Sequence, residues 1–271
     1  MSRGRTNPVL VTRVAAGQEQ RRSPDKVVVE EPMEIRLDDH LVATTMRTPG
    51  HDFELAVGFL ATEGLLGGHA VSEVRYCGTG PAVDTGFNVV SVSTNGRAPT
   101  PTARLGTTTS SCGACGAVSI EALSARLARL PSPPTELDFD VVRAVAVDVR
   151  ARQELFAATG SVHAAAVFDP RSGAVALVRE DVGRHNAVDK IVGRLHLDGG
   201  LPATGAAMFV SGRVSFEIVQ KAWAAGFGMV VGVSGPTALA VQTAERAGMT
   251  LAGFLRDDTV NVYTGAVARE R

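Results

Sequence analysis

The sequence predicts an α/β protein, with a mixed sheet flanked by helices in its C-terminal two-thirds and a smaller α+β part before it. Two observations carry this. From Ser161 onward, short apolar runs alternate with amphipathic helical stretches, the pattern of a sheet covered by helices. Between Lys26 and Ser93, strand-like runs surround a single helical repeat. The 271 residues are 45% hydrophobic and 20% charged, enough apolar material for one large or two modest cores.

In chain order, residues 1–25 are polar and lack a sustained period, so they are read as a disordered tail. Strand-like runs follow at 27–29, 33–37 and 41–46, broken by Pro32 and by Asp38-Asp39. Phe53, Ala56, Val57, Leu60 and Ala61 recur at helical spacing, which predicts a helix over 52–66 behind an N-cap. Strands are expected at 71–76 and 88–93, and a Thr/Pro-rich linker at 98–109. The domains are thus drawn as a small α+β unit over 26–105 and an α/β unit over 106–271.

In the second unit, Ile120, Leu123, Leu127 and Leu130 predict a helix from Gly116 to just before Pro131. Another is expected over 140–158. Strands follow at 164–168, 175–180, 206–210, 229–233 and 251–255, with helices at 184–195, 214–225 and 237–247.

A net charge of −1 argues against a protein that coats nucleic acid or anionic membrane, and leaves room for a focal anion pocket. No apolar run approaches the length of about 18 residues that a membrane span needs, and no hydrophobic stretch follows Met1 to Arg5. A cytoplasmic location is the expectation, and the three cysteines, Cys77, Cys112 and Cys115, are expected to be reduced thiols.

Ser110-Ser111-Cys112-Gly113-Ala114-Cys115-Gly116 is the first candidate site. A Cys-x-x-Cys pair beside a helix N-terminus has its thiolates stabilised by the helix dipole and unpaired amides. Four uses compete: two small buried residues, a redox dithiol, half of a zinc site, or a thiolate that accepts sulfane sulfur as a persulfide. Zinc lacks a second paired spacing, and the motif does not follow a strand opening a βαβ unit, as a thioredoxin-like site would.

The second candidate is the strand-to-helix turn Glu180 to Lys190, at the usual ligand edge of an α/β sheet. Arg184 and His185 lie there, with His185 and Asp189 on one helical face and Asn186 and Lys190 on another. Ser211-Gly212-Arg213 and Ser234-Gly235 mark two more such turns, and helix N-termini with small residues bind phosphate readily. His163, at a strand start, is a secondary candidate.

These residues resemble the FdhD family of formate dehydrogenase accessory sulfurtransferases. The resemblance is carried by Arg47 to Asp52 with Glu63-Gly64, by Ser111 to Gly116, by Gly160 to His163, by Glu180 to Lys190, by Ser211 to Arg213 and by Asn261 to Thr264. It implies a cytidine deaminase-like C-terminal domain, with Cys112 as persulfide carrier and Cys115 as its partner. It also implies a cysteine desulfurase as sulfur donor and the bis-molybdopterin guanine dinucleotide form of the molybdenum cofactor as bound substrate. The partner served would be the catalytic subunit of formate dehydrogenase, and the expected assembly is a homodimer with no permanent metal.

The resemblance further places cofactor binding at Phe254, Leu255, Arg256, Asp257, Asp258 and Thr259, beside Ser211, Gly212, Arg213, Ser234, His185 and Arg184. Where the family usually has Gly and a base, this chain has Asp257-Asp258, so either Arg256 and backbone amides are expected to meet phosphate or Asp257-Asp258 to face a guanine edge or solvent. Deaminase chemistry is disfavoured, since Ala164-Ala165 follow His163 where a general-acid Glu would be needed. The main alternative is a cofactor-binding chaperone that does no sulfur chemistry.

Overall fold

A computed structural model describes residues 4–76, 82–83, 85–101, 127–131 and 135–268. Two sheets and the helices between them organise these residues. The N-terminal sheet contains β3 (Glu31–Leu37), β4 (His40–Arg47), β5 (Glu73–Tyr76) and β6 (Val89–Ser93) in the order β4-β3-β6-β5. Strand β3 pairs parallel to β6, and the other pairings are antiparallel.

Helix α1 (Asp52–Thr62) covers one face of this sheet. Leu55, Ala56, Phe59 and Leu60 meet Met33, Ile35, Leu37, Val90 and Val92 in one core. The helix begins without the expected side-chain cap: His51 is its N-cap, in the left-handed region at φ 57, and makes no capping hydrogen bond. Asp52 is drawn instead into a buried pair with Arg47.

The larger sheet has six strands in the order β12-β11-β10-β9-β7-β8. These are β7 (His163–Phe168), β8 (Val175–Asp181), β9 (Ala207–Val210), β10 (Met229–Gly232), β11 (Thr250–Gly253) and β12 (Asn261–Thr264). Strands β9, β10 and β11 run parallel, and β7, β8 and β12 are joined antiparallel at the flanks.

Both faces of this sheet are covered, as the near-continuous apolar strands require. Met208, Val210, Val230 and Leu251 point toward α4 (Arg184–Leu197), α5 (Phe216–Ala224) and α6 (Ala238–Ala247). Their neighbours Ala207, Phe209, Met229, Val231 and Ala252 point the other way, onto Val142, Val145 and Val149 of α2 (Phe139–Ala151). This period of two splits the core into two layers. Among the described residues, no helix is long and apolar enough to cross a membrane.

Several expectations are corrected. Residues read as a disordered tail form a hairpin, β1 (Thr6–Arg13) paired antiparallel with β2 (Arg21–Val28), from Thr6↔Val28 to Arg13↔Arg21. Most of its side chains are exposed on both faces, so no apolar alternation marks it; Gly17 at φ 71 makes the turn possible.

The single helix expected over 140–158 is two, α2 and α3 (Glu154–Thr159). Arg152, at the break, is bound by Asp148 and donates to the Val175 carbonyl, while the Glu180 carboxylate accepts the Leu155 and Phe156 amides at the start of α3. Strand β12 was not expected as a strand.

The cysteine loop, all three cysteines and most of the expected linker and 116–130 helix lie outside the described residues. Where the chain is again described, Leu127 to Leu130 are not helical. They seat on the larger core: Trp223 Nε1 donates to the Ala128 carbonyl, and Leu130 N to that of Ala247.

The two units meet where α1 crosses α4. A Cβ on Gly58 would overlap the Asp189 carbonyl, and one on Gly193 would overlap that of Glu54, so only glycine permits this approach. Gly193→Ala is therefore expected to destabilise the protein by about 3 kcal/mol through overpacking, measured by denaturant unfolding. Wild-type stability in that variant would contradict the crossing.

Candidate functional site

The parallel strands of the larger sheet end on one edge, and the predicted turns converge there. Strand β8 ends at Asp181 and leads through Gly183 into α4, while β9 ends at Val210 and leads through Ser211-Gly212-Arg213 toward α5. Strand β7 starts at the same edge with His163, because it runs antiparallel to β9.

Gly212 lets the last two meet. A Cβ there would lie 3.1 Å from His163 Nδ1 and 3.6 Å from the Arg184 Cβ, so the ring packs on bare backbone. The Ser211 hydroxyl accepts the Ala164 amide at 2.8 Å. That hydroxyl holds β7 in place and is a framework group of the site.

Helix α4 begins with Gly183 as N-cap and no side-chain capping bond. Its first amides and its positive dipole end therefore face the edge uncompensated by a capping side chain. Arg184, half-buried, and Arg213, exposed, stand beside them. Among the described residues, the buried Arg184 Nε has no hydrogen-bond partner.

Burial and positive neighbours outweigh the carboxylates here, since Glu217 favours the charged form of Arg184 and Asp181 that of His163 without reversing either shift. Burial first, then the nearby Arg213, disfavours the charged form of Arg184. Burial also pushes the His163 imidazole below its ordinary value, reinforced by Arg184, His185 and Arg213. The cluster thus places an imidazole whose charged form is disfavoured near two arginines, an arrangement that an oxyanion would relieve.

His185 is held differently. Its Nε2 lies 3.3 Å from both Ser215 Oγ and Glu217 Oε2, and the Ser215 hydroxyl donates to Glu217 at 2.8 Å. The hydrogen bond from His185, together with that from Ser215, holds the Glu217 carboxyl down at about 2 against the effect of burial. With Glu217 ionised, His185 Nε2 is the donor. Neither Ser215 nor Glu217 was singled out from the sequence; the Ser-x-Glu spacing after Arg213 reads as an ordinary helix start.

Further along the edge, Phe254 is 44% exposed, with its backbone in the left-handed region at φ 52. A Cβ at Gly235 would collide with its ring, so the ring lies against the turn that carries Ser234, whose carbonyl accepts the Phe254 amide. The ring's exposed side is suited to stacking on a planar group. Leu255 is buried in the core.

Arg256 is exposed at the end of β11, and its Nη1 donates to the carbonyls of Val233 and Leu255. Its side chain stiffens the strand end. Asp257, Asp258 and Thr259 are exposed on the bend beyond it, closed by Arg256 N donating to the Thr259 carbonyl.

Other ionisable groups of the Glu180–Lys190 turn point away from this edge. Asp181 and Lys190, both fully buried, pair at 2.7 Å. Asp189 pairs with Lys221 at 2.9 Å and accepts the Thr62 hydroxyl. Among the described residues, no three His, Cys, Asp or Glu side chains group to hold a metal.

The chain matches the FdhD/NarQ family over residues 28–269. It is 45% identical over 262 residues to the sulfur carrier protein FdhD of Mycolicibacterium paratuberculosis, covering 94% of this chain and 96% of that one. It is 41% identical over 243 residues to the protein of the same name from Sulfurisphaera tokodaii, covering 89% and 90%. The crystal structure of a candidate formate dehydrogenase accessory protein from Desulfotalea psychrophila superposes with a TM-score of 0.72 at 21% identity, over 97% of this chain and 98% of that one. That likeness shows the fold.

The site's electrostatics are open to titration. With its folded pKa below the ordinary value of 6.5, His163 binds its proton more readily in the unfolded chain. Its contribution therefore erodes stability as pH falls below that value. In an NMR titration, His163 is expected to titrate below 6.5, and Arg184→Gln to move it upward. An unshifted His163, or one indifferent to Arg184, would contradict the arrangement.

Proposed function

The chain belongs to the FdhD/NarQ family, and from that premise we propose that it is a sulfurtransferase that carries sulfane sulfur to a molybdenum cofactor for formate dehydrogenase. Curated relatives that align along most of the chain are named sulfur carrier proteins, which supports the sulfur half of this reading.

The observation that carries the cofactor half is the convergence at one sheet edge. Arg184, Arg213, a neutral His163 and the uncapped start of α4 offer positive charge and amide donors to phosphate. Phe254, at the end of β11, offers a face for a purine; β9 and β11 lie two strand spacings apart, about 10 Å. A guanine dinucleotide tail has both groups. The substrate of this reading is therefore the bis-molybdopterin guanine dinucleotide cofactor. Its paired nucleotide tails suit a homodimer, and we read the six-stranded sheet as a deaminase-like scaffold with no resident metal.

Sulfur enters through Cys112. Its thiolate attacks the terminal sulfur of a cysteine desulfurase persulfide, the donor's S–S bond breaks, and the donor cysteine leaves as thiolate. Cys112 then bears the persulfide, with Cys115 as its partner for release. These assignments rest on the Ser111-Cys112-Gly113-Ala114-Cys115-Gly116 motif, and the reaction belongs in the cytoplasm, where thiols stay reduced.

Two measurements test the reading. With an active desulfurase and cysteine, intact-mass spectra are expected to show added sulfur that Cys112→Ala abolishes; no adduct on the wild type would overturn sulfur transfer and favour a chaperone that only carries the cofactor. In calorimetry with GDP, Arg213→Ala is expected to weaken binding at least about tenfold by removing a charged hydrogen-bond donor, and Phe254→Ala by about 1–3 kcal/mol through lost stacking. Unchanged affinity in both would move the nucleotide to another surface.

A further inference from the structure

Among the described residues, Met46 and Thr48, just before α1, reach the turn of the larger sheet from which Arg184 and His185 emerge. There Asp181 is fully buried, with both oxygens engaged. Oδ1 accepts Gly183 N at 2.8 Å and Asn186 Nδ2 at 2.9 Å, while Oδ2 accepts Thr48 N at 3.2 Å and pairs with Lys190 Nζ at 2.7 Å.

Thr48 closes this net from the other side. Its hydroxyl accepts Val182 N at 3.1 Å, and its carbonyl accepts Lys190 Nζ at 3.0 Å. Asn186 reaches across to the Met46 carbonyl at 2.8 Å. The amides of Val182 and Gly183 are thus both bound by side chains, one of them from the other unit.

Gly183 is the uncapped N-cap of α4, and a glycine turn left alone would be free to rotate. The groups that fix it determine where the α4 amides, Arg184 and His185 point. Buried charges of this kind are poor sources of net stability, because desolvation offsets their attraction. What they supply is a defined geometry.

We propose that Thr48, acting with Asp181 and Lys190, is a positioning residue for the anion-binding edge, so that the N-terminal unit sets the aim of a site whose charged groups all belong to the other sheet. This rests on the nucleotide-binding reading above. The three side chains act through the Val182-Gly183 backbone, and the Asp181 carboxylate also acts on the charge of His163.

The test uses the full chain and GDP. Thr48→Val keeps the shape and removes the acceptor for the part-buried Val182 N, and is expected to weaken GDP binding about tenfold by leaving that donor unpaired, with Thr48→Ser retaining it. Val92→Ala, a cavity in the N-terminal core far from the turn, serves as the control for lost stability and is expected to bind GDP as the wild type does.

Amide hydrogen exchange supplies a readout that needs no ligand: Thr48→Val is expected to speed exchange at 182–186, and Thr48→Ser to leave it slow. Unchanged affinity and exchange in Thr48→Val, or equal losses in Val92→Ala, would overturn the proposal. If the wild type itself binds no GDP, the nucleotide reading fails, and the exchange at 182–186 alone then decides whether Thr48 positions this turn.

Discussion

Everything in this protein hangs on the contact of two helix backbones. Packed helices ordinarily keep their axes 8–10 Å apart, held off by side chains; at Gly58 and Gly193 that spacing is lost because neither residue has a side chain to hold it. The approach brings the end of α1 beside α5, so that Gln220 donates to the Thr62 carbonyl and Lys221 to the Thr62 hydroxyl. Apolar burial on both sides supplies the stabilisation, since Leu55, Leu60, Val188 and Ile191 are all fully buried.

The polar groups of α4 divide cleanly around this contact. On one face, His185 meets Glu217 and Asp189 meets Lys221, two successive pairs of reversed polarity along α5, four residues apart on each helix. On another, Asn186 and Lys190 meet the Met46–Thr48 segment and Asp181. Only the first turn of the helix, with Arg184 and its uncapped amides, is left for an outside anion. The same helix thus joins two units, sets its own rotation through paired charges, and presents an unbalanced positive end.

The legible parts of this structure were those that repeat. Strands β7, β9, β10 and β11 and helices α4 and α6 follow from apolar periodicity, and their ends were expected within a few residues. The β1–β2 hairpin was missed because strands exposed on both faces have no apolar alternation. Helical geometry correctly grouped His185 with Asp189 and Asn186 with Lys190, but could not say that Asp189 and Lys190 would be buried, because that depends on where α1 and α5 pack. Gly58 and Gly193 had no local signal, as each sits in an otherwise ordinary helix. The edge residues Arg184, His185, Ser211, Gly212, Arg213 and Ser234 were readable as strand-to-helix turns. The bonds from Arg256 Nη1 to the Val233 and Leu255 carbonyls had no local signal, because an arginine's partners depend on what folds beside it. The part proposed for Cys112 rests on family resemblance, as that residue lies outside the described ones.

On the proposed function, ligand phosphates are read at the Arg184–Arg213 edge. A competing location is a cavity of about 730 Å³ at the opposite ends of the parallel strands, lined by residues that include Thr204, Gly205, Gly226 and Gly228 with Arg171 and Glu136. A crystal structure with GDP decides between them. The diphosphate is expected at the start of α4, within hydrogen-bond distance of Arg184 and Arg213, with the guanine near Phe254. GDP seated in the opposite cavity, with Arg184 and Arg213 free of it, would overturn that assignment.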